Sequence, residues 1–208
     1  MNKILKLRDL AEKKADKRAE KKRDLAAHAI KTLAQVGYAK TSLRDIAGAS
    51  GLSVGVIHYY FEDKAELIAY CVQQYKIEFV ARFDAIVGMA GSPADIEARF
   101  IDGLAKAIES DAETHRLWYD IRGQALFDQA FYSVVNEIER SLIELVGRLL
   151  ARIGLPDADA LEVYLAFDGV FRYFLQRRLM GKRNAIAECR AALRHLFARL
   201  HGRGGSAK

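Results

Sequence analysis

Apolar side chains recur along most of the chain at intervals of three and four residues, the spacing that aligns them on one face of an α-helix. The clearest example spans residues 157–180 and consists of Val163, Phe167, Val170, Phe171 and Phe174. Residues 184–201 repeat it with Ile186, Cys189, Leu193, Leu196, Phe197 and Leu200. Alternating strand patterns bounded by Asn-Gly or Asp-Gly turns are missing from the sequence. The pattern therefore predicts an all-α protein.

Helix start and stop signals divide this pattern into separate predicted helices. The helices cover about residues 4–36, 42–49, 53–60, 63–88, 93–109, 113–127, 129–153, 157–180 and 183–201. Asp63, with Glu66 three residues later, forms a capping-box pattern at one start, and Ser92 precedes Pro93 at the next. The connections that remain are short, as expected for a helical bundle.

The composition excludes several classes of protein. Apolar residues make up 51% and charged residues 29% of the chain, which is too apolar for a disordered protein. Cys71 and Cys189 are the only cysteines, so a disulfide framework, an iron-sulfur cluster and an all-cysteine zinc site are excluded. No apolar run approaches the length of a membrane span, and the first residues lack the apolar core of a signal peptide. We therefore expect a cytoplasmic protein without membrane association.

Motifs for catalysis and metal binding give no support to an enzyme. The glycines of residues 48–55 are not followed by the Lys-Ser/Thr pair of a phosphate-binding loop, and H-E-x-x-H does not occur. No histidine has a Cys or His partner at metal-binding spacing. We therefore expect no catalytic residues, no metal and no cofactor.

The positive charge of the chain is concentrated in residues 1–23. The formal net charge is +6, and this arm carries ten basic and four acidic residues, whereas residues 24–64 and 65–208 are each neutral by count. A four-residue repeat in residues 11–22 would align two basic stripes along a helix. Two interpretations stay open: a solvated extension that aids solubility, or an arm that contacts phosphates.

Residues 41–67 carry the pattern of a helix-turn-helix. Two short helices with apolar inner faces are joined at Gly51 and Leu52, where glycine can take the positive φ that a tight turn needs. Ala47 is small at the point where the two helices would cross. Such units place the second helix in the major groove of DNA. A generic helix pair could carry the same spacing.

Residues 25–70 resemble the N-terminal domain of the TetR family of one-component transcriptional regulators. The resemblance is carried by Thr41, Ser42, Ile46, Ala47, Gly51, Leu52, Ser53, Gly55, Ile57, Tyr59, Phe61, Lys64 and Leu67. His58 stands where the family usually has tyrosine. The resemblance implies an N-terminal three-helix DNA-binding domain, residues 24–66, between the basic arm of residues 1–23 and a helical effector-binding and dimerisation domain, residues 67–208.

The family pattern assigns DNA contacts residue by residue. The implied residues are Thr41, Ser42, Arg44, Ser53, Val54, Gly55, His58, Tyr59, Tyr60 and Lys64. Thr41 and Ser42 are similar to hydroxyls that bind phosphate, helped by a helix N-terminus. Residues 53–55 match the base-facing turn, and Tyr59, Tyr60 and Lys64 match positions that contact the DNA backbone. The implied partner is a double-stranded operator.

The C-terminal region resembles the family in architecture, which implies a small organic effector and a homodimer formed through the last two helices. Aromatic and polar residues on the middle helices are the candidate effector-binding residues: Phe100, His115, Trp118, Tyr119, Arg122, Phe127, Tyr132, Tyr164 and Phe167. An unpaired Arg122 would favour an anionic or carbonyl-bearing ligand. The implied function is a repressor released from its operator by the effector. The alternative is a helical small-molecule-binding protein that does not bind DNA.

Overall fold

The computed structural model describes the backbone of residues 2–204, and the side chains of Arg8 and residues 13–202. Within this range the helices are α1 (Asn2–Val36), α2 (Leu43–Ser50), α3 (Val54–Tyr60), α4 (Lys64–Val87), α5 (Pro93–Ser110), α6 (Ala112–Gln124), α7 (Tyr132–Arg152), α8 (Ala160–Leu179) and α9 (Ala185–Gly204). A 3₁₀ turn, Gln129–Phe131, precedes α7, and no strand occurs in residues 2–204. The predicted all-α fold is confirmed. In the predicted basic arm, the side chains of Lys3, Lys6, Asp9 and Glu12 lie outside the described residues.

The largest shifts from the predicted helix bounds have local causes. Helix α8 begins at Ala160 rather than near residue 157, because the Asp159 side chain accepts a hydrogen bond from the backbone N–H of Glu162 and caps the helix there. Before α7, Asp128 caps the 3₁₀ turn through the N–H of Ala130. Both caps satisfy backbone donors that a helix start leaves unpaired.

The chain forms two compact units that meet in sequence between Gln74 and Tyr75, inside α4. In the first unit, the inner face of α1 packs on α2, which in turn packs on α3. The core consists of Leu25, Ala26, Ala29, Leu33, Ala34, Ile46, Ala47, Ile57, Phe61, Leu67, Ile68, Cys71 and Val72. Because these side chains are almost completely buried, the orientation of α3 is set by apolar packing.

Helix α2 and the turn that joins it to α3 depend on a single glycine and two serine caps. Gly51 has φ +66°, and the N–H of Leu52 donates to the carbonyl of Ala47 at 2.9 Å, closing the end of α2. Ser42 caps α2 and Ser53 caps α3. These caps and the left-handed glycine fix where each helix stops and starts, so the turn matches the sequence pattern.

The second unit is organised around a row of aromatic rings. Phe79, Phe83, Phe100, Phe167 and Phe197 follow one another with ring centroids 4.7 to 5.9 Å apart. They come from α4, α5, α8 and α9, and α8 packs on both α7 and α9. Aromatic pairs at these distances are favourable beyond their buried area. The row therefore ties four helices into one core.

Several large apolar side chains of α8 stay at the surface. Leu161, Leu165, Tyr173 and Leu179 are all exposed, as is Met180 directly after the helix. No helix in residues 2–204 is long and apolar enough to cross a membrane. An apolar surface of this kind on a helix is typical of a contact with another protein chain.

We predict opposite stability effects for alanine at Gly51 and at Gly48. Gly51→Ala should lower the free energy of unfolding by about 1 kcal/mol, because a Cβ disfavours its positive φ. Gly48 lies inside α2, and a methyl group added there would meet open space. Gly48→Ala should therefore raise the free energy of unfolding by about 0.5 to 1 kcal/mol through helix propensity.

Urea unfolding followed by circular dichroism measures both glycine variants. Fluorescence would follow Trp118 in the second unit and would miss the first. Equal effects of the two substitutions would contradict the role assigned to the turn.

Candidate nucleic-acid interface and ligand cavity

One face of α3 carries exposed side chains, while the opposite face is packed into the first unit. Ile57 is fully buried, whereas Val56, His58 and Tyr59 are exposed, and Tyr59 is 64% exposed. Ser53 at the N-cap is exposed as well. The face that the sequence predicted to meet DNA is therefore open to a partner.

Gly55 keeps the first turn of α3 free of side-chain bulk. A Cβ built there would meet only the Ser53 hydroxyl, at 3.8 Å. The fold of the unit therefore does not require glycine at this position. A glycine in the exposed first turn lets a partner approach the backbone closely.

The hydroxyls at the start of α2 are engaged within the protein. Thr41 is 2% exposed, and its Oγ1 donates to the carbonyl of Gly37 at 2.7 Å. Ser42 Oγ donates to Asp45 Oδ2 at 2.6 Å and accepts from the Asp45 N–H at 3.2 Å. Hydrogen bonds from the side chain and backbone of Ser42 lower the pKa of the Asp45 carboxyl. A phosphate contact by Thr41 would require its hydroxyl to leave Gly37.

The remaining predicted contact residues differ in how firmly they are held. Arg44 is exposed and makes no hydrogen bond or ion pair within the described residues. Tyr60 is half-buried, and its ring meets Tyr59 edge-on at 4.9 Å. Lys64 Nζ donates to the carbonyl of Tyr38 at 3.0 Å and lies 4.2 Å from the centre of the Tyr38 ring. Arg44 is thus the free cation of this set, and Lys64 is the restrained one.

Residues of the basic arm continue α1 and contact the motif directly, which the sequence did not predict. The guanidinium of Arg18 lies 5.5 Å from the centre of the Tyr59 ring. Lys22 Nζ donates to Glu66 Oε1 at 3.0 Å and lies over the rings of Phe61 and Tyr70. No local pattern reveals the ion pair, because Lys22 and Glu66 lie 44 residues apart in the sequence. Lys13, Lys14, Lys17 and Lys21 remain exposed.

The sequence of residues 51–55, Gly-Leu-Ser-Val-Gly, also matches the G-x-S-x-G motif of the nucleophile turn in serine hydrolases. That turn needs a strand before the serine and a helix after it. Here Ser53 follows α2, and its hydroxyl accepts from the N–H of Val56 as a helix cap. The local structure is therefore that of a helix-turn-helix.

The second unit contains a small cavity among its aromatic side chains. Its volume is about 60 Å³. The lining residues are Lys76, Phe79, Phe83, Phe100, Leu104, His115, Trp118, Tyr119, Leu142, Leu145, Val146, Tyr164, Phe167, Asp168 and Phe171. No cluster of three or more His, Cys, Asp or Glu side chains suited to a metal occurs among the described residues. A mostly apolar lining with few polar groups is typical of sites for small organic molecules.

The structure brings together six of the nine predicted effector residues at this cavity, all except Arg122, Phe127 and Tyr132. Phe127 lies beyond the end of α6 at Gln124 and is 88% exposed. Tyr132 is 45% exposed at the start of α7. Arg122 lies beside the cavity and is linked to it through Asp168.

Arg122 is paired rather than free. Its Nη1 donates to Asp168 Oδ2 and its Nε lies against Glu139 Oε1, both at 2.6 Å. Tyr119 donates to the other oxygen of Asp168 at 2.8 Å. The condition under which Arg122 would itself bind an anionic ligand is therefore not met.

Lys76 is the buried cation at the cavity, and it was not among the predicted effector residues. Its ammonium lies 4.9 Å from the ring centre of Phe79 and 4.8 Å from that of Trp118. Burial lowers its pKa from 10.5 to about 7. Lys76 follows Val72 by four residues and precedes Phe79 by three, so it lies within an apolar helical stripe. This spacing was the sequence feature that could have identified Lys76 as a buried residue.

His115 is a buried neutral side chain next to Lys76. Its Nε2 lies 2.8 Å from the hydroxyl of Tyr75, and its Nδ1 has no partner in the described structure. Burial, followed by the charge of Lys76, lowers its pKa well below the ordinary value of 6.5. Tyr164, another lining residue, also has a buried hydroxyl without a partner in the described structure. Buried polar atoms of this kind usually find a partner in a ligand or ordered water.

Comparison with known proteins supports the DNA-binding assignment of the first unit. Residues 25–71 match the family model described as bacterial regulatory proteins, tetR family. No curated protein sequence matches the chain significantly.

Solved structures share the fold at low sequence identity. A TetR transcription regulator from Haloarcula marismortui superposes with a TM-score of 0.72 at 17% identity, covering 86% of this chain and 96% of that one. The regulator FadR from Bacillus subtilis, in complex with stearoyl-CoA, gives 0.68 at 17% identity, covering 83% and 95%. A chain from Saccharomonospora viridis in complex with choline gives 0.73 at 17% identity, covering 86% and 96%.

The lowered pKa of Lys76 predicts that stability rises with pH. Between about pH 7 and 10.5 the unfolded chain holds a proton on this lysine that the folded chain has lost. Raising the pH from 7 to 9 should therefore stabilise the wild type relative to Lys76→Met by about 1 to 3 kcal/mol. Urea unfolding of both proteins at the two pH values measures the difference. Lys106→Met, at an exposed lysine of α5, is the control, and its free energy of unfolding should change with pH as that of the wild type does. The same change with pH in Lys76→Met as in the wild type would contradict the prediction.

Proposed function

With residues 25–71 forming a TetR-family helix-turn-helix domain, we propose that the chain is a DNA-binding transcriptional repressor that a small organic effector releases from its operator. The observation that carries the proposal is the exposed face of α3, presented by a helix-turn-helix whose opposite face is buried. Helices presented in this way enter the major groove of DNA.

The proposed DNA contacts fall into two groups. Ser53, Val54 and Gly55 at the N-terminal turn of α3 face base edges, where the absent side chain of Gly55 permits close approach. Ser42, His58, Tyr59, Tyr60 and Lys64 serve the sugar-phosphate backbone, Arg44 reaches a base edge or a phosphate, and Thr41 positions the start of α2 from its buried site. His58 is exposed and its ring can donate to a phosphate, as the family's tyrosine would.

A homodimer is part of the proposal. Two recognition helices must reach successive major grooves, which are about 34 Å apart along B-DNA. The exposed apolar side chains of α8 support an interface through α8 and α9, because burying them against a second copy would remove that surface from water. The two helices already pack on each other within one chain.

Effector binding would act through α4. This helix starts directly after the motif, at Lys64, and its later residues Lys76, Phe79 and Phe83 line the cavity. Since the cavity is only about 60 Å³, a ligand would have to displace its walls. A coupling of about 1 to 3 kcal/mol between the two sites would change DNA affinity roughly 5-fold to 150-fold.

A protein that binds a small molecule without binding DNA is the second candidate, and the cavity is the observation that favours it. A gel shift at low salt with the DNA upstream of its own gene separates the two. Absence of any shift would support the second candidate.

Arg44 provides a direct test of the DNA contacts. Arg44→Ala should weaken binding to operator DNA by about 5-fold to 150-fold, the effect expected from removing one well-placed arginine. Fluorescence anisotropy with labelled DNA at fixed salt measures it. Arg140→Ala, at an exposed arginine of α7, is the matched control and should bind as the wild type does. Unchanged affinity of Arg44→Ala would remove Arg44 from the interface.

The basic arm predicts a change in salt dependence. Replacing Lys13, Lys14 and Lys17 by glutamine should reduce the slope of log K against log salt by about 0.9 for each phosphate that the arm no longer neutralises. The control replaces Lys106, Lys182 and Arg183, which are exposed in the second unit and carry the same total charge. An equal effect of both triple variants would reflect net charge alone. An unchanged slope with unchanged affinity would leave the arm as a solubility extension.

A further inference from the structure

The amine of Lys76 is enclosed at the cavity, where the charge of Asp168 on the same wall raises its pKa against the larger, opposite effect of burial. It makes no hydrogen bond or ion pair within the described residues, and its contacts are the rings of Tyr75, Phe79 and Trp118. A buried charge is costly unless it is paired. Ring contacts offset part of that cost, but they leave all three N–H donors without acceptors. The N–H donors of Lys76 are therefore open to an anionic group of a ligand.

We propose that the cavity binds a small apolar carboxylic acid, with its carboxylate on Lys76 Nζ and its hydrocarbon part against the lining aromatic side chains. The inference deepens the proposed function by naming the class of effector, and it depends on that function only for the effect on DNA. Phe79, Phe83, Phe100, Phe167 and Phe171 supply the apolar surface.

The unpartnered polar atoms of the lining fit a carboxylate. Tyr164 has a free hydroxyl proton to donate. If Tyr75 donates its hydroxyl proton to Nε2 of His115, the imidazole proton resides on Nδ1, which is the second unpartnered atom. A carboxylate is an acceptor with about four lone-pair sites, so it can serve Lys76 and further donors together.

The nearby acidic groups do not call for a cationic ligand. Both oxygens of Asp168 on α8 already accept hydrogen bonds, one from Tyr119 and one from Arg122, both on α6. Glu139 on α7 is occupied by the same Arg122. The Arg122 and Glu139 side chains are about one-quarter exposed, so water screens them more than it screens Lys76. The ring-lined position that a cationic ligand would need is filled by the Lys76 ammonium itself.

The size of the cavity limits the ligand. Its volume, about 60 Å³, is below the roughly 150 Å³ of an apolar cavity that accepts benzene. Leu104, Leu142, Leu145 and Val146 form the aliphatic part of the wall. A narrow, flexible alkyl chain requires less displacement of these side chains than a rigid ring system does. Straight-chain alkanoates are therefore the probes of choice.

The cavity contains its own reporter, since Trp118 is the only tryptophan of the chain and lies in contact with Lys76. Trp118 fluorescence is titrated with alkanoates of four to twelve carbons, and with the alcohol and the amine of matching length. We expect the best alkanoate to bind at least tenfold more tightly than its alcohol or amine. Tighter binding of the amine or alcohol, or no alkanoate binding at all, would overturn the proposal.

Substitution of Lys76 tests whether the carboxylate of the ligand binds this side chain. Lys76→Met should reduce alkanoate affinity at least tenfold and leave the affinity for the alcohol unchanged or higher. Lys106→Met is the control and should bind every probe as the wild type does. An equal loss of alkanoate and alcohol binding in Lys76→Met would overturn the ion pair.

Proton uptake tests the same ion pair in the wild type, so the result does not depend on the variant folding. At pH 8.5 Lys76 is largely neutral in the empty protein, and a carboxylate favours its ammonium form. Calorimetry in buffers of different ionisation enthalpy should show close to one proton taken up per alkanoate bound. The calorimetry is repeated between pH 7 and pH 10.5, and absence of uptake across this whole range would contradict the assignment.

A parallel anisotropy titration on operator DNA separates this inference from the proposed function. Lys76-dependent alkanoate binding without any change in DNA affinity would leave the site assigned and remove effector release. Normal DNA binding without any alkanoate binding would remove the proposed ligand class and leave the proposed DNA-binding function in place.

Discussion

Both units depend on the apolar face of a single helix, α4. Leu67, Ile68 and Cys71 are buried in the first unit, and Phe79 and Phe83 are buried in the second. The helix begins three residues after the buried Phe61 and reaches the cavity within its next few turns. Because both sets of side chains must stay out of water, the position and rotation of α4 are constrained at both ends. The proposed coupling between ligand and DNA relies on that constraint.

The interior of the second unit combines a strong apolar core with polar groups that the core does not fully satisfy. Asp168, Tyr119, Arg122 and Glu139 form a closed network of hydrogen bonds and ion pairs. Lys76, by contrast, is held among aromatic rings. Packing alone would favour a methionine or leucine at such a position. Retaining a lysine there lowers the stability of the empty protein, which fits a side chain kept for binding rather than for folding.

Local features of the fold were predictable from the sequence, whereas pairings between distant residues were not. Gly51, Ser53 and the apolar spacing of residues 41–67 predicted the helix-turn-helix because caps, turns and helical periodicity depend on neighbouring residues. The cavity was partly predictable, since His115 and Trp118 lie on one face of α6. The ion pairs of Arg122 join residues from three helices, which no local pattern encodes.

The continuity of α1 gives the basic arm a defined reach. Helix α1 spans 35 residues, and at about 1.5 Å per residue it is roughly 52 Å long. The part before Asp24 accounts for about 33 Å, close to one full turn of B-DNA. A continuous helix spaces its residues regularly along one axis, whereas a coil does not. Lys13, Lys14 and Lys17 lie on this helix ahead of the motif, so in the proposed complex the footprint on DNA would extend beyond the bases read by α3.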